Sequence, residues 1–401
     1  MKRLVMKFGG TSVATTDKIK QVCQLILRQK EKYDDLVVVV SAMGKTTDNL
    51  LNLAYEVSAR PIAREVDVLL SSGELISASL LALCLNDLGY PAESFTGFQA
   101  GFRTKGSHRK SKIEDLDPKL IESALKRGEI AVVAGFQGMN KAGDITTLGR
   151  GGSDTSAVAL AAKLGAKCEI YTDVDGIYSA DPRIRPQAKK IDRINYEEVV
   201  EMAHQGARVI EARSVELAAK YHVPLYIALN TGEVEGTYIS DFTEQTGGKK
   251  MEDFKLTNVS AIENILLVSI QGLPNLSFES SKCFTELAAA DVNVDILNQV
   301  IIDQNNSAFS FTSDMDSKQE IIEVLNRMEL EYTFVENLNK ISIIGSAMRN
   351  QVGVAAKAFN VFIEQNVLFY MVSTSDISIS YVVKAEDKNK IINALADAFG
   401  L

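Results

Sequence analysis

The spacing of apolar positions changes several times along this chain, and each change marks an element. Leu4, Val5, Met6, Lys7 and Phe8 form a short, mostly apolar run that predicts a strand. Between Asp17 and Lys32, the residues Ile19, Val22, Cys23, Ile26 and Leu27 recur at helical spacing. Residues 36–40 are uncharged and rich in valine, the pattern of a strand buried on both faces. Residues 63–85 read as helical, interrupted by Ser71-Ser72-Gly73-Glu74. Asp117-Pro118 opens a helix to about Lys126, and residues 130–136 predict another buried strand. In residues 157–164, Val158, Ala161 and Leu164 share one helical face with Ala157 and Leu160 beside it; Gly165 is the predicted stop and Ser153 or Asp154 the predicted N-cap. Residues 168–173 predict a strand, 196–221 one or two helices, and 224–229 a closing strand.

Small-residue loops follow these strands. Gly9-Gly10-Thr11-Ser12 follows the first, and the segment from Ser41 to Asp48 follows the second. Thr147-Leu148-Gly149-Arg150-Gly151-Gly152-Ser153-Asp154 stands between the strand at 130–136 and the next helix. Parallel sheets bind ligands at the carboxyl ends of their strands. The last loop joins backbone N–H groups to a helix N-terminus, which suits an anion, and Arg150 adds a planar cationic fork for a carboxylate. The plainer alternative is a glycine turn with a solvated arginine. Neither a Walker A motif nor G-x-G-x-x-G is present. Lys7, at a strand end beside two glycines, can neutralise a transferring phosphoryl group, or it is a surface lysine before a turn. Glu74 can face a substrate cation, or cap a helix start. Residues 95–103 are rich in glycine and aromatics, and residues 105–112 form a basic, solvated loop. From Tyr171 to Arg183, two tyrosines, three aspartates and an arginine suit a nucleotide, or form a well-capped hairpin.

Periodicity lapses over residues 243–255, the predicted domain boundary, and a weak repeat follows. Val268-Ser269-Ile270-Gln271-Gly272 is echoed by Ile341-Ser342-Ile343-Ile344-Gly345, residues 292–297 by 367–372, and 309–311 by 379–381. Each half reads strand, helix, strand, strand, helix, as in tandem small modules, and neither contains a catalytic cluster.

Length and composition bound the function. The 401 residues suggest two or three domains, and 46% hydrophobic with 24% charged residues is an ordinary globular composition. A net charge of −9 without a basic block argues against nucleic acid or an anionic membrane as partner. Cys23, Cys84, Cys168 and Cys283 form no C-x-x-C pair and read as buried reduced thiols of a cytoplasmic protein. His108, His204 and His222 are far apart and suggest neither a zinc site nor a Ser-His-Asp triad. No signal-peptide core precedes Gly9, and no apolar stretch is expected to span a bilayer.

Lys7-Phe8-Gly9-Gly10-Thr11-Ser12, Ser41-Ala42-Met43-Gly44 with Thr46-Thr47-Asp48, Gly73-Glu74, the Leu148-to-Asp154 loop and the segment from Tyr171 to Arg183 stand in order at suitable spacing. Together they resemble the monofunctional aspartate kinases of the amino acid kinase family, over nearly the whole chain. The resemblance implies a three-layer α/β/α catalytic domain with a mainly parallel sheet (1–245) and a linker (246–262) that can supply a first strand to the second of two ferredoxin-like ACT modules (263–335 and 336–401). It implies transfer of the γ-phosphoryl of ATP, with Mg2+, to the β-carboxylate of L-aspartate. The product starts the route to lysine, threonine and methionine. No protein-held metal is implied. Lys7 and Asp154 would be catalytic. Thr47, Glu74, Arg150, Gly151, Gly152 and Ser153 would hold aspartate. Phe8, Gly9, Gly10, Ser41, Thr172, Asp173, Tyr178, Arg183 and Arg208 would join Lys7 around ATP. The modules would sense lysine, threonine or both through Asn293, Asp295, Gln299, Ser373 and Thr374, and would pair the chain into a homo-oligomer. Three segments depart from the family pattern: Gly206-Ala207-Arg208-Val209 has arginine where relatives carry lysine, Ala228-Leu229-Asn230 replaces Arg-Ser-Ser, and Gly272-Leu273-Pro274-Asn275 lacks a Pro-Gly turn. The alternatives are another small-substrate kinase of this fold, or a catalytically silent amino-acid sensor.

Overall fold

The structure is a computed structural model that describes residues 2–207, 209–242, 256–274, 278–301, 306–345, 348 and 353–401. Two compact units emerge from the chain, and neither is continuous in sequence. The first comprises residues up to Tyr178, Lys190–His204 and the segment beginning at Arg208. The second takes Ser179–Lys189, Gln205–Ala207 and the C-terminal part. The predicted boundary at 243–255 lies outside the described residues.

In the first unit the elements are β1 (Arg3–Phe8), α1 (Thr16–Lys30), β2 (Asp35–Val40), α2 (Thr46–Val57), α3 (Ala63–Asp87), β3 (Ala92–Phe95), β4 (Phe102–Lys105), β5 (Lys112–Leu116), α4 (Lys119–Lys126), β6 (Ile130–Ala134), β7 (Gln137–Met139) and β8 (Ile145–Thr147). They continue with α5 (Gly152–Leu164), β9 (Lys167–Thr172), β10 (Ile177–Tyr178), β11 (Lys190–Ile191), β12 (Arg193–Ile194), α6 (Tyr196–His204), α7 (Ala212–Tyr221), β13 (Leu225–Leu229) and β14 (Thr237–Ile239). An eight-stranded sheet runs β12-β14-β13-β9-β1-β2-β6-β3, parallel except between β13 and β14. The valines of β2 are buried on both faces, as their pattern required. Leu4, Met6 and Phe8 point with Val38 and Val40 into a core closed by α1 and α3. The period of two sends Lys7 to the opposite face, where α5 packs.

Several expectations change. The 224–229 strand is internal, because β14 and β12 extend the sheet beyond it. The strand that delivers the arginine loop is β8, part of a separate sheet ordered β5-β4-β7-β8. Both β7 and β8 are three residues long, too short for periodicity to detect. Gly151, at φ +62°, precedes α5, so Ser153 and Asp154 lie inside the first turn and do not cap it. Thr46-Thr47-Asp48 opens α2.

The largest difference is α3, which runs unbroken through Ser71-Ser72-Gly73-Glu74. Ser71 and Ser72 turn their hydroxyls back onto the carbonyls of Val68 and Leu69, so the polar run satisfies itself within the helix. Gly73 is there for close approach: a Cβ at this position would lie 2.8 Å from the Ala42 Cβ. Contrary to expectation, α3 is long and apolar enough to cross a bilayer by length and composition. Half of its most apolar window is buried inside the fold, with Leu70, Leu81 and Leu85 in the core.

The second unit contains β15 (Asn258–Pro274), α8 (Phe278–Ala289), β16 (Leu297–Ile301), β17 (Asn306–Asp314), α9 (Lys318–Arg327), β18 (Glu331–Ile344), α10 (Val354–Glu364), β19 (Phe369–Thr374), β20 (Ser378–Lys384) and α11 (Lys388–Phe399). One antiparallel sheet runs β16-β17-β15-β18-β20-β19. The repeat appears as two cores on this sheet, one under α8 and α9 and one under α10 and α11. β15 serves both. Its start pairs with the end of β18 and its later residues with β17, across irregularities between Ile262 and Leu267. The similar segments 292–297 and 367–372 differ in structure, since β16 begins only at Leu297 while β19 covers 369–374. Residues 275–277, in the turn that departs from the family pattern, lie outside the described residues. Gln205 accepts a hydrogen bond from Ser342 at 2.9 Å, and Arg185 pairs with Asp397 at 2.8 Å, which explains why two short segments belong here.

The close approach at Gly73 yields a stability prediction. Gly73→Ala should destabilise the protein by about 1–3 kcal/mol in denaturant unfolding, the usual cost of overpacking, despite alanine's better helix propensity. A neutral or stabilising effect would show that α3 and the β2–α2 connection are not held in contact.

Candidate active site

Four central strands end together. Ser41 N donates to the Phe8 carbonyl, Gly135 N to that of Val40, and Gly9 N to that of Tyr171, which levels the ends of β1, β2, β6 and β9. Lys7 reaches Asp154 in the first turn of α5 at 2.6 Å, with 10% and 13% of the two side chains exposed. Gly9 leaves room beside this ammonium, since a Cβ there would lie 3.6 Å from Lys7 Nζ. Gly10 packs against the Ala42 carbonyl, where a Cβ would approach to 2.7 Å. Gly135 fits against Ser153 in the same way. Lys7, Gly9, Gly10, Ser41, Ser153 and Asp154 therefore share one sheet edge with α5's positive end.

Glu74 borders this edge from α3. It is 3% exposed, and Oε1 accepts from Ala42 N at 3.1 Å. Oε2 is buried and has no hydrogen-bond partner among the described residues. Burial pushes its carboxyl up to about 8, against the opposing pull of the Ala42 N–H. A donor carrying positive charge would satisfy the empty oxygen and favour ionisation.

The remaining sequence candidates divide. Thr172 ends β9, its hydroxyl donating to Asp173, and its carbonyl accepts from Asn230 N. Thr47 stands in the first turn of α2. Gly152 fits closely against Phe136 and Leu148, and Gly151 against Glu211, whose Cβ would be 2.3 Å from an added Cβ. Arg150 is exposed, with no ion pair among the described residues. Phe8 can offer only its backbone, because its ring stacks on Tyr171 at 5.1 Å in the core. Tyr171 is likewise internal, donating to Glu169 at 2.6 Å. Tyr178 donates to Asp175 at 3.0 Å, on the β10–β11 ribbon. Arg183 belongs to the second unit and grips Asp181 at 2.7 Å. Arg208 lies outside the described residues.

Pattern reading missed several contributors. Ser77 donates to the Ser41 carbonyl at 2.7 Å, and Asn230 to Ser12 Oγ at 3.1 Å. Asn230 stands in a segment that departs from the family pattern, which was a usable signal; Ser77 is an ordinary helical serine and carried none.

In the second unit, Gln299 lies on β16 while Ser373 and Thr374 end β19, at opposite edges of the six-stranded sheet. Within one chain they do not converge. Asn293 and Asp295 precede β16, and the Asp295 carboxylate pairs with the ammonium of Lys340, a side chain 2% exposed.

Residues 2–229 match the amino acid kinase family and residues 341–399 the ACT domain. The aspartokinase of Mycolicibacterium smegmatis is 43% identical over 410 residues, covering 100% of this chain and 97% of its own. Aspartokinase 2 of Bacillus subtilis is 42% identical over 407 residues, covering 100% and 98%. Escherichia coli aspartokinase III, solved in complex with aspartate and ADP, superposes with a TM-score of 0.83 at 23% identity over 100% of both chains, a likeness of fold.

The unpartnered oxygen of Glu74 gives a pH signature. The folded protein holds this proton more tightly than the unfolded chain, so the contribution of Glu74 to stability is fullest below the ordinary carboxylate range and is lost as pH rises through about 8. Glu74→Gln, without ligands, should match the wild-type Tm near pH 5 and exceed it by about 2 °C or more near pH 8.5. A Tm difference that does not change with pH would mean that Glu74 rests ionised.

Proposed function

The chain belongs to the aspartokinase family of amino acid kinases with ACT domains, and from that premise we infer that it transfers the γ-phosphoryl of ATP to the β-carboxylate of L-aspartate. The products are 4-phospho-L-aspartate and ADP, and the acyl phosphate enters the route to lysine, threonine and methionine. The reaction takes place in the cytoplasm, where ATP is supplied. The observation that carries this reading is the buried Lys7–Asp154 pair at the end of β1, beside Gly9 and Gly10.

The β-carboxylate is ionised at neutral pH, so attack on the γ-phosphorus needs no general base. One oxygen–phosphorus bond forms as the bond from the γ-phosphorus to the bridging oxygen of ADP breaks. Lys7 offsets the charge carried by the phosphoryl oxygens, and Asp154 orients Lys7. Backbone groups of Phe8, Gly9, Gly10 and Ser41 approach the phosphates. Glu74 accepts the aspartate ammonium on its empty oxygen, Arg150 grips the α-carboxylate, and Thr47 and Gly151 to Ser153 complete the pocket. Thr172, Asp173 and Tyr178 are the nucleotide contacts of the first unit, and Arg183 and Arg208 are assigned to ATP by the family resemblance alone. Mg2+ would come bound to the nucleotide, where it would supply positive charge to the phosphates. The donor set suits an ion held by phosphates, because no group of three His, Cys, Asp or Glu side chains gathers into a cage among the described residues.

Lys7→Ala should lower kcat by at least about 100-fold while changing ATP affinity far less, the pattern of a charge used in the transition state. The assay is aspartate-dependent ADP release, with hydroxylamine trapping the acyl phosphate. Near-normal turnover in the folded variant, or a wild type that phosphorylates a different acceptor, would sink the reading.

Feedback inhibition by lysine, alone or with threonine, is the regulatory half of the proposal. Asp295 is the ammonium partner, with Asn293 and Gln299 beside it. Ser373 and Thr374 stand on the other sheet edge, so a complete pocket joins edges of two copies. β16 supports such pairing, being exposed throughout with Val300 and Ile301 outward. Asp295→Asn, which keeps an acceptor for Lys340, should raise the half-inhibiting lysine concentration about tenfold or more. Unchanged inhibition would place the effector elsewhere.

A further inference from the structure

Asp67 is 0% exposed, yet nothing above uses it. A buried carboxylate is costly unless its lone pairs are filled, and here both oxygens are filled entirely by segments distant in sequence. Oδ1 accepts from Thr147 Oγ1 at 2.7 Å and from Arg109 N at 3.1 Å. Oδ2 accepts from His108 Nδ1 at 2.9 Å, from Arg109 N at 3.0 Å and from Thr147 N at 3.0 Å. Every partner is a donor. An acceptor-only group is required, and an amide would turn its own N–H toward one of them.

The clamped segments bear directly on the arginine loop. Thr147 ends β8, three residues before Arg150. Ser111 N donates to the Thr147 carbonyl at 3.0 Å. Gly149, at φ +78°, packs under the Arg109 carbonyl, which would lie 2.9 Å from an added Cβ. Arg213 closes the far side, donating to the carbonyls of Leu148 at 2.9 Å and Ser111 at 3.2 Å. The segment expected to be a solvated basic loop is thus a brace, with Ser111 fully buried.

Asp67 and Glu74 are seven residues apart on α3, so two helical turns place them on one face, about 10 Å apart along the axis. Both belong to the helix's buried stripe. Gln137 pins α3 between them, donating to the Ser71 carbonyl at 2.9 Å. One rigid helix therefore carries Glu74 at one point and holds the root of the Arg150 loop at another. We propose that Asp67 is a positioning residue for the amino-acid substrate: through Thr147 and the 107–111 brace it sets the distance between Arg150 and Glu74, and so matches the site to the carboxylate–ammonium spacing of an α-amino acid. This rests on the assignment of Arg150 to the α-carboxylate.

Steady-state kinetics of Asp67→Asn, Arg150→Ala and the double variant test it. Asp67→Asn should raise the KM for aspartate about tenfold or more and leave that for ATP within about threefold. If Asp67 acts through Arg150, adding Asp67→Asn to Arg150→Ala should change the aspartate KM by less than about twofold further. Independent, multiplying effects would overturn the proposal, as would equal losses toward aspartate and ATP. Should Arg150→Ala leave the aspartate KM unchanged, the assignment of Arg150 falls and the proposal with it. If Arg150→Ala raises that KM and Asp67→Asn does not, the proposal alone falls. Should Asp67→Asn fail to fold, Thr147→Val removes only the hydroxyl donor and carries the same cycle, with an expected rise of about threefold; no rise would overturn the proposal.

Discussion

A lysine at the end of a strand in the middle of an eight-stranded sheet has to be compensated, and the Lys7–Asp154 pair meets that demand. Removing one partner of a buried pair strands the other charge, so the two positions constrain each other strongly. Asp154 can reach Lys7 only if α5 starts where it does. That start depends on Gly151 in the left-handed region and on Gly135 and Gly152 allowing the backbone to pack closely. The glycines around the site thus serve one end: they bring two loops and a helix N-terminus to a single cation.

α3 is the second support, and its two buried carboxylates show opposite states. Asp67 has donors on both oxygens, the mark of a finished structural bond. Glu74 has a donor on one oxygen only, and burial makes the other costly to leave empty. The same helix therefore provides a fixed anchor and an unfilled acceptor. Its apolar length gives the rigidity that both require.

The second unit is organised around strands common to its two cores. β15 and β18 each run through both modules, so the two cores share two continuous strands. Lys340 sits on β18 with its ammonium buried and tied to Asp295, which links the centre of the sheet to the segment before β16.

Much of this protein was legible in the linear pattern. The buried valines of β2, the helical spacing of α1 and α5, and Gly165 as a stop are local properties, set by side-chain chemistry and backbone freedom within a few residues. Lys7 and Arg150 could be singled out because a charge beside glycines after a strand is unusual by itself, and Glu74 because an acid after a glycine interrupts an apolar helical run. The unbroken course of α3 could not be read, because the reason for Gly73, close packing against Ala42, lies in a distant segment. Strands as short as β7 and β8 exist only through their pairing. The partners of Asp67 stand 41, 42 and 80 positions away, and Arg183 belongs with residues far along the chain. Periodicity reports which face of an element is buried, but hydrogen bonds and ion pairs between distant segments are decided when the elements pack. For that reason the sequence alone determined the longer, periodic elements and the class of chemistry, and only the tertiary structure decided the shortest strands, which charges meet, which carboxylate is left unfilled, and where each unit begins.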